Sequence, residues 1–140
     1  MIITKLNPNM DQIDWYQVVE LFTLVEWAKR DIKEIQNAFL KSSFTCFVYK
    51  DDRIIGFGRT VDDGQYYALL VDVAVHPKFQ KQGIGKSIVN VLSTALKDYL
   101  FVSLTAAPNK EEFYQKIGWK KQKSAYILPK NEKQQAAHCE

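Results

Sequence analysis

Val71-Asp72-Val73-Ala74-Val75-His76-Pro77-Lys78-Phe79-Gln80-Lys81-Gln82-Gly83-Ile84-Gly85-Lys86-Ser87 runs from a β-branched apolar strand, through a proline turn, into a glycine-spaced helix start. A helix opening near Gly83 leaves its first backbone N–H groups without intrahelical acceptors, and the aligned peptide dipoles put partial positive charge at the same place. An anion belongs there. Gly83 and Gly85 carry no Cβ, so the chain can turn tightly and a bulky diphosphate can approach the amides. Lys81 and Lys86 add mobile positive charge, either as phosphate contacts or as solvated side chains.

Spacing separates the glycine-loop motifs that compete for this stretch. A Walker A loop aligned on Gly85-Lys86-Ser87 puts its first glycine on Gln80, and a dinucleotide fingerprint aligned on Gly83 and Gly85 finds Ile88 at its third glycine. Each fails at a defining position. The pattern that fits is [QR]-x-x-G-x-[GA], carried by Gln80, Gly83 and Gly85 behind Val75-His76-Pro77. On these residues the chain resembles the GNAT superfamily of acyl-CoA-dependent N-acyltransferases. A second family-like segment, Glu111-Glu112-Phe113-Tyr114-Gln115-Lys116-Ile117-Gly118-Trp119, follows at a suitable distance, while the first 40 residues carry no signature.

A chain of 140 residues reads as one domain spanning 1–128 with a polar tail over 129–140. Its net charge of +3 is mild and its basic residues are scattered, so nucleic-acid binding is not expected. The chain has 2 cysteines, Cys46 in an expected strand and Cys139 in the tail, which argues against a disulfide framework and for a cytoplasmic setting. No segment has the length or apolarity of a membrane span, and the start lacks a signal-peptide pattern. Neither the histidines nor the cysteines form a metal-ligand spacing, and no metal is expected. There is no G-x-S-x-G elbow. Lys120, Lys121 and Lys123 read as solvated.

Periodicity outlines the elements. A first strand over Ile2 to Leu6 precedes a helix from about Asp11 with Ile13, Trp15, Val18, Val19 and Phe22 on its apolar face, and a second helix over Asp31 to Leu40. Strands over Phe44 to Lys50 and Arg53 to Val61 join through Asp51-Asp52, and another runs from Tyr66 to Val75. The helix from Gly83 to about Asp98 has Ile84, Ile88, Val91, Leu92, Ala95 and Leu96 as its core stripe. A buried strand over Leu100 to Ala106, a short helix from Asn109 to Ile117 stopped at Gly118, and a strand over Ala125 to Leu128 complete the chain, with Pro129 to Glu140 loose. The order β-α-α-β-β-β-α-β-α-β makes an α/β (α+β mixed) fold: a central mixed, mostly antiparallel sheet flanked by about four helices. The GNAT resemblance implies the same order.

The resemblance also implies that the strand bearing Asp72 to Val75 and the strand around Val102 to Thr105 run parallel and splay apart, with pantetheine lying between them. Val73 and Val75 then offer backbone groups to pantetheine, and Gln80, Lys81, Gln82, Gly83, Ile84, Gly85 and Lys86 enclose the diphosphate. Family tyrosines in the context of Tyr114 lie near the cofactor sulfur, where a phenol can protonate the departing thiolate; packing between helix and sheet is its structural alternative. The family asparagine that stands about seven residues before that tyrosine has no clear counterpart, Asn109 being nearer and behind Pro108.

Asp72, an acid within an apolar run, is either the base that accepts the amine's proton or a structural hydrogen-bonding group. Glu26 and Trp27 are candidates for orienting the amine. His76, held before a proline, reads as structural. The expected activity is acetyl transfer from acetyl-CoA to a primary amine of a small molecule, less readily of a peptide or protein, by direct attack in a ternary complex, in a monomer or homodimer. The alternative is a non-catalytic acyl-CoA-binding or sensing module; nucleotide binding through Gly85-Lys86-Ser87 is a third reading.

Overall fold

The computed structural model describes residues 1–140. These divide into two compact units, Met1–Leu104 and Thr105–Glu140. The first holds a five-stranded sheet of β1 (Ile2–Leu6), β2 (Thr45–Lys50), β3 (Arg53–Asp62), β4 (Tyr67–Val75) and β5 (Phe101–Leu104), ordered in space as in sequence. It also holds α1 (Trp15–Leu24), α2 (Ile32–Lys41) and α3 (Ile84–Ala95). All neighbouring strands are antiparallel except β4 and β5. Tight hairpin geometry explains much of that order: Asp51 and Asp52 take φ values of 49° and 67°, the left-handed pair that a two-residue turn between twisted strands requires. A parallel pair cannot be closed by a hairpin, and α3 supplies the crossover from β4 to β5.

Local chemistry sets the helix starts. The Asp14 carboxylate accepts from the amides of Tyr16 and Gln17, so α1 begins at Trp15 rather than near Asp11, and Met10–Gln12 forms a separate 3-10 turn capped by Asn9. Asp31 caps α2 in the same way. Helices α1 and α2 cover one sheet face through an aromatic cluster: Phe57 lies 5.0 Å from Phe22 and 5.6 Å from Phe39, and Trp15 lies 5.6 Å from Phe39. Each such pair adds about 0.5–1.5 kcal/mol beyond area burial. Because strand side chains alternate, the residue after Phe57 points to the opposite face, where α3 lies. That residue is Gly58, and a Cβ there would stand 2.8 Å from Ile88 Cγ2 and 3.0 Å from Leu92 Cδ1, so the helix rests almost directly on the strand. In α3 the buried set is Ile84, Ile88, Val89 and Leu92, with Leu96 just beyond its end; Val91 and Ala95 are only half-buried.

Three further expectations differ from the structure. β5 is at most half-buried, with Phe101 exposed, because it is an edge strand. No strand forms over Ala125 to Leu128, where Tyr126 and Leu128 are almost fully exposed: β propensity alone does not make a strand without a neighbouring ladder. The expected loose tail contains α5 (Glu132–His138), started by Asn131, whose side chain accepts from the Gln134 amide. The second unit otherwise holds α4 (Glu111–Lys116), which ends as expected at Gly118 with φ of 103°. No helix is long and apolar enough to cross a membrane.

Candidate active site

Register slips where β3 meets the middle of β4. Phe57 pairs with Ala74 and Arg59 with Val71, so Gly58 alone faces both Asp72 and Val73, and the extra residue is a β-bulge. Asp72 takes φ of 55°, left-handed backbone that is uncommon for a residue with a Cβ. Its carboxylate accounts for its presence in an apolar strand. Oδ2 accepts from Arg59 Nε at 2.8 Å and Oδ1 from Arg30 Nη1 at 3.0 Å, with the Asp72 side chain 9% exposed. Both guanidiniums are fixed in turn by aromatic faces, Arg30 at 4.7 Å from the Phe22 centroid and Arg59 at 5.6 Å from that of Phe39. Each carboxylate oxygen thus has a cationic donor, an arrangement suited to holding the bulge in shape.

The ladder between β4 and β5 runs from Tyr67↔Phe101 to Leu70↔Leu104, whereas β4 continues to Val75. From Val71 onward β4 has no partner strand on the side that faced β5, and the ladder leaves that edge unpaired. The bulge at Asp72 and Val73 lies on that segment. Gln80 closes the far end by donating from Nε2 to the Val75 carbonyl at 3.1 Å.

Beyond the strand, Pro77–Phe79 forms a 3-10 turn in which His76 Nδ1 accepts from the Lys78 amide at 3.1 Å. Burial, then the positive charges of Arg53 and Lys78, lower the His76 pKa below its ordinary value. This capping role matches the structural reading of His76. Lys81 and Gly83 both adopt left-handed backbone, with φ of 64° and 83°. No side chain caps the start of α3, and no atom lies within 4 Å of where a Cβ on Gly83 would be. Lys81, Gln82, Gly83 and Lys86 are exposed, whereas Ile84 is buried and contributes to the loop only through its main chain. Uncapped amides at the end of a twelve-residue helix, with open space in front and lysines to either side, have the character of a diphosphate cradle.

A cleft of about 200 Å³ opens beside the bulge, lined by Arg30, Glu34, Ile35, Ala38, Phe39 and Asp72. Glu26 and Trp27 are not among its lining. Glu26 is exposed in left-handed backbone just past α1, and Trp27 packs 5.6 Å from the Phe22 ring, the same ring that supports Arg30. Sequence reading missed Arg30, Arg59, Glu34 and Phe39. One signal was available: Arg59 stands in the apolar strand Ile54-Ile55-Gly56-Phe57-Gly58-Arg59, and a cation in such a run calls for an acid on the next strand.

Tyr114 belongs to the second unit, where its ring stands edge-on to Phe113 at 5.0 Å and to Trp119 at 6.2 Å. Burial raises its phenol above the ordinary tyrosine value, so it is protonated at neutral pH.

An acetyltransferase (GNAT) domain model matches residues 16–127. The chain belongs to the GNAT acetyltransferase family. Among its GNAT relatives, the uncharacterized N-acetyltransferase ycf52 of Porphyra purpurea is 33% identical over 79% of this chain and 67% of its own length. The ycf52-like protein of Prochlorococcus marinus is 34% identical over 76% of this chain and 63% of its own. The chain therefore spans about two thirds of these curated relatives. A GNAT family acetyltransferase of Streptococcus pneumoniae superposes with a TM-score of 0.76 at 22% identity, covering 94% of this chain and 100% of that one, which is likeness of fold. The chain thus carries a GNAT-type N-acetyltransferase domain, an acyltransferase built on a mixed, mostly antiparallel five-stranded sheet.

Proposed function

We propose that this GNAT domain transfers an acetyl group from acetyl-CoA to a primary amine of a small molecule, by direct attack in a ternary complex. The observation that carries the reading is the open edge of β4 after Leu70, continuous in sequence with the uncapped start of α3. An extended pantetheine arm fits the former and a diphosphate the latter. Acetyl-CoA, when bound, supplies the activated acyl thioester.

The chain's own residues then divide the work. Val73 and Val75 present main-chain groups along the open edge, Val75 through its N–H because Gln80 occupies its carbonyl. The amides from Lys81 through Lys86, Gln82, Gly83, Ile84 and Gly85 included, surround the diphosphate, and the two lysines add charge. Asp72, held by Arg59 and Arg30, keeps the bulge and hence the Val73 amide in place. Tyr114, whose phenol is protonated at neutral pH, is the proposed acid for the departing thiolate. An alkylammonium with a pKa near ~10.4 sheds one proton to solvent before attack, and the N–H proton lost as the C–N bond forms and the C–S bond breaks returns through water to the phenolate that Tyr114 leaves. Trp27 supports the acceptor side through Phe22, and Glu26 stands exposed beside it.

Calorimetric titration with acetyl-CoA beside ATP, followed by a thiol-release assay over a panel of small amines and peptides, tests this reading. Acetyl-CoA binding together with release of thiol by a small amine is expected. Binding without release by any amine would instead mark a non-catalytic acyl-CoA module, and preference for ATP would mark a nucleotide site.

A further inference from the structure

We propose that the cleft between α2 and the β4 bulge is the acceptor subsite and that it takes a zwitterionic amine, an α-amino-acid-like molecule with a carboxylate beside its ammonium. This rests on the transferase reading above and names the acceptor class for it.

The cleft's charges carry the argument. Arg30 and Glu34 both line it, yet they form no ion pair with each other. Arg30 and Asp72 are paired within the lining, and Arg59, which holds the other Asp72 oxygen from outside the lining, leaves the trio with a net positive charge beside the cleft. The Glu34 carboxylate has neither an ion pair nor a side-chain hydrogen bond, although opposite charge lies across the same opening. A ligand carrying both an anion and a cation satisfies both groups. A simple amine satisfies only Glu34, and a diamine sets its second ammonium against Arg30.

Geometry adds to this. Arg30 uses Nη1 for Asp72 and makes no other side-chain hydrogen bond, and its side chain is 40% exposed, so it has further N–H donors to offer a carboxylate. The Phe22 face, 4.7 Å from the guanidinium carbon, anchors the group that presents them. Ile35, Ala38 and Phe39 supply the apolar remainder of the wall for a short side chain. The volume of about 200 Å³ falls below the ~300–1,000 Å³ that drug-sized ligands occupy, which selects a single small molecule.

The test is a direct titration. The protein, free and again saturated with coenzyme A, is titrated with each common amino acid and with its methyl ester, while heats and cleft-residue amide shifts are recorded. At least one amino acid is expected to bind, with its ester weaker by roughly tenfold or more, since a site built for a polar group rejects the analogue lacking it. Glu34→Gln, on the exposed surface of α2, is expected to weaken amino-acid binding by a similar factor and leave coenzyme A affinity unchanged. In the thiol-release assay the same substitution raises KM for the amino acid and not for acetyl-CoA. Equal binding of acid and ester, a Glu34→Gln variant indistinguishable from wild type, or no cleft response to any amino acid each overturns the proposal. Failure of the transferase reading reads out separately, as loss of coenzyme A binding or as amino-acid binding without thiol release.

Discussion

Arg59 donates from Nε to Asp72 Oδ2 at 2.8 Å at the point where β3 and β4 fall out of register, so one ion pair closes over the bulge that exposes the Val73 backbone. Breaking a buried pair by removing one partner costs about 3–5 kcal/mol, and the partial exposure of Arg30 puts this case at the lower end. Asp72→Ala is expected to lose roughly 3 kcal/mol, part of it because alanine tolerates left-handed backbone poorly. Asp72→Asn keeps a side chain suited to that backbone and loses less. If the carboxylate holds the bulge, Asp72→Asn and Arg59→Gln reduce acetyl-CoA affinity in parallel and their combination adds little, as read by urea denaturation and calorimetry. Turnover lost in Asp72→Asn alone, at full stability and affinity, would assign Asp72 as the proton acceptor instead.

At Gly83, backbone strain and ligand access are separable. Its φ of 83° makes alanine cost about 1–2 kcal/mol, and the new methyl meets nothing in the free protein. On the proposed reading, the methyl stands in the opening through which a diphosphate reaches the α3 amides. Gly83→Ala is therefore expected to lower acetyl-CoA affinity by more than its effect on stability explains, about tenfold or beyond by calorimetry. An affinity unchanged in a folded Gly83→Ala variant would move the diphosphate site elsewhere.

Most of the fold was legible because it follows from local pattern. Two aspartates between alternating runs specify the β2–β3 turn, and the α3 stripe specifies which side of that helix meets the sheet. The uncapped, glycine-turned start of α3 was legible for the same reason, since its main-chain conformation is dictated by glycine spacing. What escaped depends on residues distant in sequence. Asp72 could be singled out as anomalous, but its partners lie on β3 and ahead of α2, and only the sheet register brings Arg59 and Arg30 to it. The cleft escaped for the same reason. Residues 125–128 failed in the opposite direction, with strand-like composition but no ladder to join.

His76 gives the protein a pH-sensitive turn. Its Nδ1 can accept from the Lys78 amide only while unprotonated, and its pKa is lowered in the folded state. The contribution of such a group is fully present above the unfolded value of about 6.5 and is lost as pH falls through the lower folded value. Stability measured by denaturant titration is expected to decline between pH 7 and pH 5 partly on this account. His76→Asn keeps an acceptor at the same branch position without titrating, and is expected to flatten that slope. A slope identical in the variant would remove His76 as its source.

Tyr114 is tested by deleting one atom. Tyr114→Phe leaves the aromatic packing against Phe113 and Trp119 and removes only the phenolic hydroxyl, so stability and acetyl-CoA affinity should change little. A positioned general acid contributes about 10²–10⁴ to rate, which sets the expected fall in kcat. Because burial raises the phenol above its ordinary value, the acid form persists through neutral and moderately alkaline pH, and Tyr114 should impose no alkaline decline between pH 7 and 9. A base would instead need a lowered pKa, and its rate would climb with pH over that range. The leaving group separates proton donation from packing: with an acyl donor whose thiol is more acidic, departure needs less help, and the gap between Tyr114→Phe and wild type should narrow. A gap that stays constant across donors would make Tyr114 a packing residue, and no gap at all would remove it from the reaction.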